Sequence, residues 1–308
     1  MNYTKRHIIF FLLTLSLGIS FYLDFFVPKD ISVSFAPINP KKSTTVFAGY
    51  SSTGNIPEYV INYLQKLKQI TPNIVYVTDN PISKKEILKL KPYVNHIIAT
   101  RHNEYDWGSY KRGYNFITNK NFPAPNTSPL LILANDSALP VAPSFKPILK
   151  DMQEKQTDFY GITANQDGIY HIQSHFLILT SKLYTSTEFK NYLNNVKPQT
   201  DGLMVASLYE VPFTKYFEDK GYTHGTFIPY ENLSYLKLND KNCYPLTLLT
   251  KHKLPLLKMR TFTSRLHVQE SRRMLFKWLK QNSHKSYKQL IRHLKQINSP
   301  YLKDNRED

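Results

Sequence analysis

Asn103, Asp106 and Lys111 fall within one polar stretch, Arg101 to Gly113, that follows an apolar run and precedes a helix-like pattern. A helix N-terminus there would offer free backbone N–H groups to an anion, and Gly108 would let a ligand approach closely. Asn103 and Asp106 could hydrogen-bond the hydroxyls of a ribose or sugar, and Lys111 could offset phosphate charge; the alternative is an Asp cap with a structural glycine. Asn135, Asp136 and Ser137 come directly after Leu131–Ala134. A carboxylate at such a strand end can hold Mg2+ or Mn2+ against a diphosphate, or simply close the strand as an Asx turn. In Tyr170–Phe176, His171, Gln173 and His175 alternate and would share one face of a strand. That row suits the wall of a sugar pocket, a zinc pair short of a third ligand, or structural histidines. Tyr50 and Asp79 end two further apolar runs, where a base or ribose could be gripped. Glu210 lies in an interrupted helical pattern, and Lys258 follows Pro255-Leu256-Leu257.

P-loop, G-x-G-x-x-G, H-E-x-x-H, G-x-S-x-G and paired C-x-x-C patterns are absent, which disfavours P-loop kinases, ordinary dehydrogenases, zincins and α/β-hydrolases. The single cysteine, Cys243, excludes an internal disulfide and a Cys-rich zinc module. Net charge is +17, and Lys251 to Asp308 holds 15 basic against 4 acidic residues. Such a balance points to an anionic partner: phosphate, anionic lipid or nucleic acid. With no recognised nucleic-acid module, nucleic acid is not expected as a partner.

The elements that must position these residues alternate. Thr44–Ala48, Ile74–Thr78, His96–Ala99 and Leu130–Ala134 read as strands of a parallel sheet covered on both faces. Helical patterns fill the intervals: 57–69, 84–90 with Ser83 as cap, and Trp107–Ile117. Loops at the carboxyl ends of such strands are where α/β sheets place ligands. Phe159–Thr163 and His171–Thr180 read as strands, Leu203–Lys220 as a helix interrupted near Pro212, and Val268–Gln296 as one long basic amphipathic helix. At the N-terminus Lys5-Arg6-His7 precedes an apolar run, Ile8 to Leu23, which is broken by Asp24, continues over Phe25-Phe26-Val27 and predicts a signal anchor. The expected organisation is a single-pass membrane anchor over 1–27, its side of the membrane left open, a linker over 28–43, the main domain over 44–264, and a basic helix and tail over 265–308. The basic helix is also a candidate for a membrane surface, with Trp278 and Leu279 dipping into the interface.

In order and spacing, Val46-Phe-Ala-Gly-Tyr50, Asn103-Glu-Tyr-Asp-Trp-Gly-Ser-Tyr-Lys111, Leu133-Ala-Asn-Asp-Ser137, Asp158–Thr163, His171-Ile-Gln-Ser174, Phe213-Thr-Lys-Tyr-Phe217 and Leu254-Pro-Leu-Leu-Lys258 resemble the rhamnan synthesis protein F family. The resemblance implies a GT-A-like nucleotide-binding sheet with flanking helices. It also implies transfer of a sugar, often a deoxyhexose such as rhamnose, from a nucleotide-sugar donor to a glycan or lipid-linked acceptor. The D-x-D acidic pair of that fold is reduced here to Asn135-Asp136-Ser137. The expectation is therefore a glycosyltransferase with Asp136 and His171 as catalytic groups and Asp136 facing a divalent cation. Tyr50, Asp79, Asn103, Asp106, Lys111, Asn135, Gln173 and Lys258 are expected to bind substrate. The competing expectation is a glycan- or lipid-binding module that keeps the fold without the chemistry.

Overall fold

The computed structural model describes residues 30–119, 129–166, 168–263 and 268–305. Twelve short strands are formed among them: β1 (Ile31–Ser34), β2 (Thr44–Gly49), β3 (Asn73–Thr78), β4 (His96–Ala99), β5 (Leu131–Asn135), β6 (Ala138–Pro140), β7 (Phe159–Gly161), β8 (Ala164–Asn165), β9 (His171–Ile172), β10 (Phe176–Leu179), β11 (His224–Thr226) and β12 (Leu256–Lys258). Eight of them make the main sheet, ordered β1-β4-β3-β2-β5-β10-β7-β11, with the pairs β6–β12 and β8–β9 standing apart from it.

The centre of the sheet is parallel, as the continuous apolar runs require: β2 lies between β3 and β5. The expectation of a parallel sheet needs correction at both sides, because β1 pairs antiparallel with β4 and β10 antiparallel with both β5 and β7. The sheet is mixed. Strand β1 arises from the stretch read as a linker, where Ser32 and Ser34 hydrogen-bond the ring of His96. From β2 the chain moves outward to β3 and β4, then returns to place β5 on the other side of β2. That reversal leaves a crevice beyond the carboxyl ends of β2 and β5.

Alternation along the strands divides the core. Val46, Val75, Leu131 and Leu133 face the helix Tyr105–Thr118, whose Trp107, Tyr110, Tyr114 and Ile117 recur at helical spacing. Phe47, Ile74, Tyr76 and Ile132 face the opposite layer, which includes the helix Glu58–Leu67. At Gly113 an added Cβ would lie 2.3 Å from a Val46 methyl, so the absence of a side chain lets the helix press against β2. Ser83 caps Lys84–Leu90 by accepting from the Glu86 N–H.

Three further expectations are corrected. The single strand over His171–Thr180 is two, interrupted at Gln173–His175, where Ser174 turns its N–H to Glu210. The long basic helix is two helices, Arg272–Asn282 and His284–Gln296, broken at Ser283, whose hydroxyl donates to Val141 O at 3.0 Å. Their apolar stripe (Leu275, Phe276, Leu279, Leu290, Leu294) is buried in the core, so Leu279 has no surface to offer a membrane. The N-terminal membrane helix and single-pass localisation are also set aside: among the described residues no helix is long and apolar enough to cross a membrane, and residues 1–29, on which that span was placed, lie outside them.

Candidate active site

A cleft of about 630 Å3 occupies the crevice beyond β2 and β5. Its walls come from five separate parts of the chain. The ends of β2 and β3 supply Ala48 to Tyr50 and Asp79; the loop after β4 and the following helix supply Arg101, Asn103, Tyr105 and Asp106; β5 supplies Asn135 to Ser137; and a distant segment supplies Gln199, Thr200 and Gly202.

Two carboxylates meet there. Asp106 stands in the first turn of its helix, where one oxygen accepts from the Trp107 N–H at 3.0 Å and the other from Asn135 Nδ2 at 2.8 Å. Asp136 is drawn onto the neighbouring strand: its N–H donates to Ala48 O at 3.1 Å and its Oδ2 accepts from the Tyr50 N–H at 2.7 Å. Asn135, which precedes Asp136 in the chain, keeps its amide N–H on Asp106 because its own oxygen is held by the Ser137 N–H and hydroxyl. Withdrawal from water pushes Asp106 up to about 6, with repulsion from Glu210 adding to it. The same withdrawal pushes Asp136 up to about 7, with Asp106 as the repelling neighbour.

On the other side of β2 from Asp136, the wall is built around Asp79. Its Oδ1 accepts from the N–H groups of His102 at 2.6 Å and Asn103 at 3.0 Å, while Arg101 Nη1 donates to its backbone oxygen at 3.0 Å. The Arg101 guanidinium then lies 5.8 Å from the centre of the Tyr50 ring, which is 51% exposed. Burial and the Arg112 charge lower His102 to about 4, so its ring is neutral at pH 7.

Six of the residues singled out from sequence thus line one cleft: Tyr50, Asp79, Asn103, Asp106, Asn135 and Asp136. Four do not. Lys111 is turned away and pairs with Glu104 at 2.7 Å while donating to Val196 O at 2.6 Å. Burial alone would raise the Glu104 carboxyl, but hydrogen bonds from Arg112 and Lys111 lower it. His171 is buried on β9 and its Nδ1 meets Ile169 O at 2.9 Å. Gln173 is buried too, its oxygen taken by Thr163 at 2.7 Å and Asn242 at 3.1 Å. The imagined row of His171, Gln173 and His175 does not form because the strand breaks there. Lys258 is not in the cleft lining: it pairs with Ala138 across β6–β12, two residues after Asp136 in the chain, and Met259 N donates to Ser137 O. Burial lowers its pKa, while Glu210 and Asp106 oppose that shift.

Sequence reasoning missed Arg101, Gln199, Thr200 and Gly202. Asp201, which caps the helix Gly202–Val205 through the N–H groups of Leu203 and Met204, was a readable helix start. Nothing local told that Gln199 N would reach Asn103 O at 3.1 Å.

Among solved structures, the chain is loosely similar to a cytidylyltransferase from Leptospira borgpetersenii (10% identity, 86% of this chain and 98% of that one, TM-score 0.39). It is similar to the same degree to a putative nucleotide-diphospho-sugar transferase from Desulfovibrio desulfuricans (10% identity, 80% and 97%, TM-score 0.39). A core-mannan synthase from Aspergillus fumigatus in its Mn/GDP form is more distant (8% identity, 57% and 69%, TM-score 0.33). No curated protein matches the chain. Residues 74–304 match the family described as rhamnan synthesis protein F. The chain belongs to the rhamnan synthesis protein F family.

Proposed function

We propose that the cleft is the transferase site, with the donor's nucleoside toward Tyr50, Asp79, Arg101 and Asn103 and its diphosphate toward Asp136. The observation that carries this reading is the meeting of Asp106 and Asp136, from separate segments, in one cleft at the point where strand order reverses. The transferred sugar is a deoxyhexose of the rhamnose type, and the acceptor a growing glycan or its lipid-linked form.

Asp136 suits a divalent cation of the Mg2+ or Mn2+ class, since such ions take one or two carboxylates and complete their coordination on substrate phosphates. Among the described residues no group of three or more His, Cys, Asp or Glu would hold one without the donor. When bound, the cation would supply charge stabilisation to the departing diphosphate. Lys258, within reach of the Asp106 charge, adds positive potential to the site. Asp106 receives the proton of the acceptor hydroxyl; the acceptor oxygen bonds to the anomeric carbon as the carbon–oxygen bond to phosphate breaks, and the diphosphate departs with that electron pair. Asn135 keeps Asp106 aimed through its 2.8 Å hydrogen bond.

The test is calorimetric titration of the chain with a panel of nucleotide sugars, with and without Mn2+. Binding that weakens on chelation and in Asp136→Ala supports the reading; no binding by any donor overturns it. The binding-module alternative predicts no turnover in the parent chain, whereas the transferase reading predicts turnover that falls about 100-fold or more in Asp106→Ala and Asp136→Ala.

A further inference from the structure

Tyr105 opens its helix at φ +56°, and Asn103 two residues earlier also stands at φ +56°. Asparagine adopts this left-handed conformation with local hydrogen bonds, but a bulky ring does so only under strain of about 1–3 kcal/mol. The surroundings enforce it. Asp79 takes the Asn103 N–H at 3.0 Å, Asn103 O takes the Gln199 N–H at 3.1 Å, and the Glu104 N–H donates to His102 Nδ1 at 3.1 Å. Yet the ring so positioned is only partly packed. Trp107 is 1% exposed and Tyr110 fully buried, while Tyr105 is 40% exposed and lines the cleft beside Asp106, Gln199 and Thr200. Its edge lies 3.6 Å from where a Cβ on Gly202 would be, and the next two residues of that helix, Leu203 (80% exposed) and Met204 (43% exposed), are apolar and open to solvent. Among the described residues the Tyr105 hydroxyl has no partner.

The cleft therefore carries two aromatic rings in unlike surroundings. Tyr50 has a guanidinium beside it, suited to a base and phosphates. Tyr105 has the Asp106 carboxylate next to it in the chain and meets Gly202, which exposed Leu203 and Met204 follow. A saccharide presents an apolar C–H face and a rim of hydroxyls, and a deoxyhexose adds a methyl group. We propose that Tyr105 is the platform for the acceptor saccharide, stacking its C–H face while hydroxyls reach Asp106, Gln199 and Thr200, with Leu203 and Met204 meeting the deoxy methyl. This rests on the transferase reading and assigns the acceptor half of the same site.

The experiment titrates the chain and its Tyr105 variants with a rhamnose trisaccharide and, separately, with UDP, GDP and dTDP in the presence of Mn2+. The trisaccharide should bind about tenfold more weakly in Tyr105→Ala and within about threefold of the parent in Tyr105→Phe, with nucleotide affinity unchanged. Tyr105→Gly should lose the saccharide equally while its Tm stays level or rises, because glycine relieves the left-handed strain. Equal trisaccharide affinity in Tyr105→Ala, parallel loss of nucleotide, no trisaccharide binding by the parent, or a fallen Tm in Tyr105→Gly each overturns the proposal. Failure of every nucleotide to bind would instead sink the transferase reading itself.

Discussion

Asp136 carries an electrostatic load that its environment imposes. Desolvation holds its carboxyl near 7 against an ordinary value of 3.8, so the folded chain retains a proton that the unfolded chain has released between those limits. Folding stability drawn from this group is consequently undiminished below about pH 4 and falls as pH rises toward 7. Asp136→Asn, which keeps an oxygen for the Tyr50 N–H, should be more stable than the parent by roughly 1–3 kcal/mol at pH 8 and close to it at pH 4. Thermal melts across that range in chelating buffer would show it; a gain larger at pH 4 than at pH 8 would contradict the assignment. The opposite case is Glu104, where Lys111 and Arg112 converge on one buried carboxylate. Glu104→Ala would strand both cations and should destabilise by about 3–5 kcal/mol in denaturant titration. Asp136, Asp106 and Asn103 were legible because each stands where a strand ends or a helix begins. Lys111 was misread since its helical position says nothing of which way the chain has placed Glu104.

Two glycines set how the helix Tyr105–Thr118 meets its neighbours. At Gly113 a methyl group would collide with Val46 of β2, and at Gly108 it would fall 2.1 Å from the Glu104 Cβ. Gly113→Ala should therefore destabilise by about 1–3 kcal/mol through overpacking. Gly108→Ala should do so too, and should additionally weaken donor binding, because the loop it displaces carries Asn103. Comparing Tm with nucleotide affinity for the two variants separates these effects: loss of affinity in Gly113→Ala alone would refute the account. The helix itself was readable from the spacing of Trp107, Tyr110 and Tyr114. The break of the 171–180 strand was not, since it depends on Glu210, far along the chain, capturing Ser174.

The sheet and the C-terminal helices form one body. Leu279 and Leu290 are fully buried in the core that also contains Phe47, Ile132 and Phe145. Leu279→Ala and Leu290→Ala should each cost about 2–5 kcal/mol of folding stability, measurable by urea unfolding. Variants indistinguishable from the parent would mean that these helices do not close the core. Ser286, buried with its hydroxyl on Pro140 O, ties the last long helix to β6, the strand that follows the Asp136 turn. The amphipathic stripe was visible in the sequence, but an apolar stripe names no partner; the surface it covers is set by β6 and the helix Glu58–Leu67.

Local order was written in the chain: the apolar runs of β2 to β5, the helical spacing of Trp107, Tyr110 and Tyr114, the polar residues at strand ends, and with them the family. Periodicity and capping act between residues a few positions apart, which is why they could be read without coordinates. Strand direction at the sheet's sides, the meeting of Asp106 and Asp136 in one cleft, and the arrival of Gln199 to Gly202 there emerged only on folding. Each depends on contacts between segments distant along the chain, and no short stretch of residues encodes which of many compatible surfaces will bury it.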